Sequence, residues 1–572
     1  MFKQSILLML ILALAIPALA EGYVVKEFPV FREELTDETA PLRYYDDLPH
    51  VPCLGLREYY RLVLGAELAM EDRGEGVRAF ITPEGAEAVI DQSAGTLTCA
   101  DFPRFTNLMS LLVPGMDNQY LDMPAFAMPD GLVYADPEPT VLDLAKYRIP
   151  IHFEAEDVYL PLATLSDLFT NLSYIFVSFN GERVYVNDDN RMDPAWQRDP
   201  GYVDAIYSRA ERPADLAAFA YDELCFAMDT FYGYPGRAEL NDDLLEYGLD
   251  GALQVHSDES RRCRALLGSE RLGEYALGSQ LLNDLLADGG HTGLDFAELW
   301  ANKPEFSDFS TDYYMAAEGN PPSRIDYAEY RRNTAAQKVL QQKRRALCGN
   351  DHYVEKGDTA LIWFDSFMYD FEGWRAFYTG EGSRPENDQM AHIIDGLNRA
   401  AENPDIKNVI FDVTSNLGGS ADMVVAIMSL IADVPTFDVE NLLVGRVMTQ
   451  KYRVDRNFDG VFDDADREVR YDFNYGILTS RLSFSCGNLL PALMHDLGMA
   501  VLGEQSGGGA CAVAMHATPE GFIYQISSAL GRLVDKRGQN IDAGVAPDVA
   551  LDRDEFYDLN ALSRAMNAFY GG

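Results

Sequence analysis

Residues 481–513 read RLSFSCGNLLPALMHDLGMAVLGEQSGGGACAV, and this stretch decides the fold class. Leu489, Leu490, Leu493, Met494 and Leu497 recur at the three- and four-residue spacing of a helix with one buried stripe. Pro491 is tolerable in a first helical turn, and Gly498 suits a C-terminal cap. MAVLGE follows as a short apolar strand, and GEQSGGGA as a glycine-rich turn. Ser485 therefore stands at or just before a helix N-terminus, where unpaired N–H groups and the helix dipole favour negative charge. An acyl-transfer nucleophile needs that environment, because its oxyanion forms there. A serine in this position also serves as an ordinary N-cap, so the segment alone leaves both roles open.

Around it, from Thr359 onward, strands (ALIWFDSFM, NVIFDVTSN, MAVLGE) alternate with helices (ADMVVAIMSLIADV, GNLLPALMHDLG). That alternation predicts a layered α/β domain over residues 356–572. Residues 201–355 carry helical spacing in LAAFAYDELCFAMDTF and YALGSQLLNDLLADGG, then a basic helix around AAQKVLQQKRRAL. Residues 21–200 are rich in short strand signals and Pro/Gly/Asp turns, with a hairpin expected around Asn180–Gly181, and read as an accessory α+β module. Residues 1–20 have Lys3, the run ILLMLILALAIPALA and Ala18–Leu19–Ala20, the pattern of a secretory signal peptide cleaved after Ala20. With no cysteine after the apolar run and no later stretch long enough to span a bilayer, the expected product is soluble and exported. A net charge of −45 repels nucleic acid and anionic membrane surfaces alike, so neither is an expected partner. The seven cysteines are scattered singly with no zinc spacing, and their odd number leaves at least one unpaired within a chain.

Three segments fall in a telling order: LLADGGHTGL with His291 on a turn after a helix, NVIFDVTSNLGGS ending in Gly418–Gly419, and SFSCGN…LGEQSGGG with Ser485. Together with GVAPDV at 544–549, they resemble the C-terminal-processing (tail-specific) serine peptidase family in its tricorn-like branch. The resemblance spans roughly residues 210–550 and implies a ClpP/crotonase-like layered ββα core acting on a peptide or protein substrate. The processing-protease branch deprotonates its serine with a lysine in the turn that here reads GEQSGGGA; that turn holds none, and the next lysine is Lys536. The implied base is His291, whose imidazole suits proton transfer near neutral pH. The oxyanion donors are expected to be the amide of Cys486 and one from Gly418 or Gly419. The tricorn-like branch orients its histidine with a glutamate shortly before "GV-x-PD"; RGQNIDAGVAPD has none, leaving Asp542 as the nearest carboxylate and Asp535 and Asp548 as alternatives. Cys486 itself is a competing nucleophile, since a helix N-terminus acidifies a thiol. The family often inserts a PDZ domain before the core, but about sixty residues from His291 to the first core strand are too few for one.

A second site is predicted in DRNFDGVFDDAD, Asp455 to Asp466. Asp455, Asn457, Asp459, the Val461 carbonyl, Asp463 and Asp466 match positions 1, 3, 5, 7, 9 and 12 of a calcium loop, with Gly460 at the sharp turn. A structural Ca2+ is expected there, and no catalytic metal elsewhere. The competing readings are a catalytically decayed, calcium-stabilised cell-surface binding protein on the same scaffold, and an esterase.

Overall fold

The computed structural model describes residues 22–32, 34–106, 126–170, 175–188, 194–207, 211–236, 238–294 and 324–571. The expected signal peptide, residues 1–20, and residues 295–323 of the stretch between His291 and the first core strand lie outside them. In the C-terminal part, strands Thr359–Trp363, Asn408–Asp412, Asn474–Thr479, Ala500–Gly503 and Val549–Ala550 run parallel in that spatial order, with Tyr353–Lys356 antiparallel at the outer edge. Every residue of Asn408–Asp412 is buried, as a central parallel strand covered on both faces must be. Helices Ala421–Ala432 and Cys486–Asp496 share one apolar core with these strands, through Val424, Ile427, Leu490 and Met494 against Val409, Phe411 and Ile477. A second, wholly antiparallel sheet has the order Cys511–Ala517, Ile523–Val534, Thr436–Asn441, Arg446–Val454, Ala127–Val133. Two sheets with intervening helices make the layered α/β fold that the strand–helix alternation predicts.

The last strand of that second sheet comes from the N-terminal region. Ala127–Val133 pairs antiparallel with Thr449–Val454, more than three hundred residues on, so the two regions share a sheet across the boundary expected at residue 200. The rest of the N-terminal region forms a seven-stranded and a five-stranded sheet. The hairpin of Ile175–Phe179 with Val184–Asp188 brackets Asn180–Gly181 as its turn chemistry requires. Its core runs on through helices Ala214–Phe231 and Leu272–Leu286 to Ala514, Ile526 and Leu530 of the second sheet. No helix among the described residues is long and apolar enough to cross a membrane.

Candidate active site

Ser485 is the N-cap of helix Cys486–Asp496, yet its side chain makes no capping hydrogen bond. Its backbone sits at φ 56°, ψ −122°, a left-handed conformation that costs a non-glycine residue about 1–3 kcal/mol. Three backbone bonds enforce it: Ser485 N to Gly508 O at 2.9 Å, Phe484 N to Asn416 O at 3.0 Å, and Gly487 N to Phe484 O at 2.8 Å. A strained serine whose hydroxyl is not spent on the helix fits a nucleophile better than a cap. Pro491 falls in the second turn rather than the first, so it supplies no N–H to the Gly487 carbonyl. The helix ends as its sequence predicts, with Gly498 at φ +75° and Met499 N bonded to Met494 O.

The turn after strand Asn408–Asp412 closes directly on Ser485. A methyl on Gly418 would lie 2.6 Å from Ser485 Cβ, 3.0 Å from its Oγ and 3.1 Å from Cys486 N. Of the two candidate glycines, Gly418 has already committed its N–H to Asn416 Oδ1 at 2.9 Å. Its carbonyl accepts from Phe367 N at 2.8 Å. A trans peptide points N–H opposite to C=O, so that bond turns the Gly419 N–H away from Phe367. Among the described residues neither Gly419 N–H nor Cys486 N–H, the first of the helix, has a hydrogen-bond partner. These are two free donors flanking one serine.

His291 reaches the site on a turn docked to strand Ile523–Val534. Gly293 and Gln525 exchange backbone bonds of 3.0 and 3.1 Å, Ser527 Oγ accepts from His291 N at 2.8 Å, and Gln525 Nε2 donates to His291 O at 2.5 Å. The ring packs against Phe484, the residue before the serine, with centroids 5.2 Å apart. No hydrogen bond joins the imidazole to the Ser485 hydroxyl. Burial holds the His291 pKa below its ordinary 6.5; the charges of Asp288 and Asp542 and a hydrogen bond with the Cys511 backbone oppose it. Nδ1 is shut off from solvent with no partner.

Among the described residues no carboxylate hydrogen-bonds the ring. Asp542 receives Gly236 N at 3.1 Å and Ala510 N at 3.0 Å, and so acts on His291 through its charge alone. Asp535 is paired with Arg537, and Asp548 receives Val501 N, so neither alternative meets the histidine. Sequence reasoning missed Asp288, the first residue of DGGHT, which exerts the larger charge effect on the imidazole. The signal was present: an Asp two residues before a glycine commonly caps its own turn. The Cys486 side chain is buried. Burial and then the nearby Asp422 push its thiol up to about 12, and its Sγ donates to Gly419 O at 3.0 Å.

The acidic loop at 455–466 folds as a run of side-chain-to-backbone turns. Asp455 receives Phe458 N and Gly460 N, Asn457 receives Asp459 N, Asp459 receives Val461 N, Asp463 receives Ala465 N, and Asp466 receives Arg456 N and Asp463 N. Among the described residues no group of three or more His, Cys, Asp or Glu side chains converges as a metal requires. Asp455 and Asp466 are buried together; burial and then the Asp466 charge raise the Asp455 pKa, while Tyr378 and two amides oppose the rise. All seven cysteines are free thiols, six of them buried.

Residues 365–551 match the model of Peptidase family S41. That span includes Gly418, Gly419, Ser485 and Cys486, while His291 lies before it. No curated protein matches the chain. Among solved structures, the chain is similar to the photosystem II D1 C-terminal processing protease, at 16% identity over 36% of this chain and 46% of that one, with a TM-score of 0.27. Mature CPAF complexed with lactacystin is similar at 14% identity over 38% and 55%, TM-score 0.27. A lipoprotein from Streptococcus agalactiae is similar at 11% identity over 62% and 96%, TM-score 0.34. The chain spans about half the length of the first two. None of these partial likenesses bears on its chemistry.

Proposed function

We propose that this chain, a member of Peptidase family S41 through residues 365–551, is an exported serine endopeptidase with Ser485 as nucleophile and His291 as general base. The observation that carries this reading is the strained, uncapped Ser485 facing Gly418 between two unpartnered amides. In the reaction, Ser485 Oγ attacks the substrate carbonyl while the imidazole takes its proton. The carbonyl oxygen becomes an oxyanion received by the N–H groups of Gly419 and Cys486. Collapse expels the amine, which takes the proton back from His291 and leaves an acyl-serine. Water, deprotonated by the same imidazole, then releases the acid and restores Ser485. A depressed imidazole pKa keeps the base neutral and ready. Proton transfer requires the ring to close onto Oγ, and catalytic hydrogen bonds commonly tighten only once substrate is bound.

Export rests on the signal-peptide pattern of residues 1–20. Calcium binding by the loop 455–466 is part of the same proposal, supported by the buried Asp455–Asp466 pair, whose like charges a cation would offset. The enzymatic reading is tested by turnover of an unstructured protein such as casein by the full chain without its leader. Cleavage that disappears in Ser485→Ala is expected; equal cleavage by that variant would assign the activity elsewhere. Hydrolysis of simple esters without any peptide cleavage would favour the esterase reading.

A further inference from the structure

The histidine turn contains a carboxylate that the reaction above leaves without a role. Asp288 is 5% exposed, and no lysine or arginine among the described residues pairs with it. Its Oδ1 accepts from Gly290 N at 2.7 Å, and its Oδ2 from Thr292 Oγ1 at 2.5 Å, Ser527 Oγ at 3.1 Å and the Tyr232 hydroxyl at 3.3 Å. Those donors come from three places: the turn itself, strand Ile523–Val534, and the residue following helix Ala214–Phe231. An ionised carboxylate accepts about four hydrogen bonds, so this one is filled to capacity by neutral donors. Ser527 extends the arrangement: its hydroxyl donates to Asp288 while its oxygen receives the His291 backbone N–H at 2.8 Å.

From these contacts we propose that Asp288 is the positioning carboxylate of the site, anchoring the His291 backbone through Ser527 and holding a negative charge beside the ring without touching it. The inference rests on the reading of Ser485 and His291 as nucleophile and base. Its chemical logic is that proton transfer from Ser485 creates an imidazolium in a desolvated place, and a fixed anion nearby stabilises that cation. The charged groups acting on the ring are Asp288 and Asp542, with Asp288 the stronger. The Cys511 thiol and the Tyr232 phenol, both close by, are held neutral by burial. Asp542 arrives on the segment after the second sheet and is tied to Gly236 and Ala510, whereas Asp288 belongs to the turn that carries the base.

The test uses the full chain without its leader and compares Asp288→Asn with Ser527→Ala. Asp288→Asn keeps shape but removes charge; kcat should fall about tenfold or more with KM nearly unchanged, and the acid limb of kcat/KM should move to lower pH. Ser527→Ala keeps the charge and removes the anchor, so kcat should fall while the acid limb stays in place. Should Asp288→Asn fail to fold, Ser527→Ala decides, and wild-type kcat in it overturns the proposal. NMR titration of the His291 ring, identified by its loss in His291→Ala, reads the charge effect without any turnover. The ring midpoint should drop in Asp288→Asn; an unmoved midpoint with wild-type kcat overturns the proposal. A wild-type chain that cleaves no peptide while its His291 midpoint still drops in Asp288→Asn would sink the peptidase reading and with it the catalytic role, leaving the charge coupling.

Discussion

Gly418→Ala is the substitution whose consequence the geometry dictates most sharply. The added methyl would stand 2.6 Å from Ser485 Cβ and 3.0 Å from its Oγ, whereas non-bonded carbons prefer about 3.5–4.0 Å. Relief requires the glycine turn and Ser485 to separate by about 1 Å, and a misplacement of that size costs about a hundredfold in rate. The same methyl would lie 3.1 Å from Cys486 N, in front of an amide expected to receive the oxyanion. Losing one such donor costs about a hundred- to a thousandfold. The two effects overlap, so a drop in kcat of about 10²–10³ is expected with little change in KM. Gly418 also lies at φ +110°, and forcing alanine there should cost about 1–3 kcal/mol of stability. Gly498→Ala is the control, since Gly498 has φ +75° but open space around the methyl position. It should lose stability alone. Casein or peptide turnover and thermal unfolding are measured on both variants. Wild-type turnover in Gly418→Ala, or equal losses of activity in the two, would refute the placement of Ser485 against this turn as the catalytic geometry.

Burial depresses the His291 pKa, so the neutral base persists below pH 6.5 and activity should fall only as pH drops through a midpoint under that value; a kcat/KM acid limb above 6.5 would contradict this. The same sign holds for stability: the buried neutral ring contributes above pH 6.5, and that contribution is lost as pH falls through the lower folded midpoint. Cys486→Ala removes the bond from Sγ to the Gly419 carbonyl and should lower kcat about tenfold, with Cys486→Ser restoring most of it; equal rates in all three proteins would show that the thiol does not hold the oxyanion turn. If the loop 455–466 binds Ca2+, saturating calcium at about a hundred times Kd stabilises the fold by about 2.7 kcal/mol, and EDTA lowers Tm accordingly. Asp455→Ala with Asp459→Ala should abolish that response, and an EDTA-insensitive Tm in the wild-type chain would end the calcium proposal.

What the sequence revealed was whatever is local or periodic. Apolar spacing at Leu489–Leu497, the hairpin around Asn180–Gly181 and the Gly498 cap emerge because each depends on neighbours within a few residues. The nucleophile segment, the Gly418–Gly419 turn and the His291 turn were legible as motifs, although nothing in them shows which glycine amide remains free. That depends on Asn416 Oδ1 and Phe367 N, contacts the motif does not encode. Long-range pairing was invisible: nothing in AMPDGLV announces that residues 127–133 complete a sheet with 449–454. The acid was sought far along the chain near Asp542, while Asp288, three residues before His291, carries the stronger charge effect through space. The acidic loop at 455–466 carries two signals at once. Its spacing satisfies a calcium pattern, but the same Asp and Asn side chains are equally suited to bonding their own backbone, and here they do.

The central claim is that Ser485 is a nucleophile activated by His291, and covalent labelling tests it most directly. The chain without its leader is treated with a fluorophosphonate probe, digested, and the tagged peptide mapped by mass spectrometry. A single adduct on Ser485, absent from Ser485→Ala and formed at least about a hundredfold more slowly in His291→Ala, is the predicted result. No adduct at Ser485, or labelling that proceeds at the wild-type rate in His291→Ala, would contradict it.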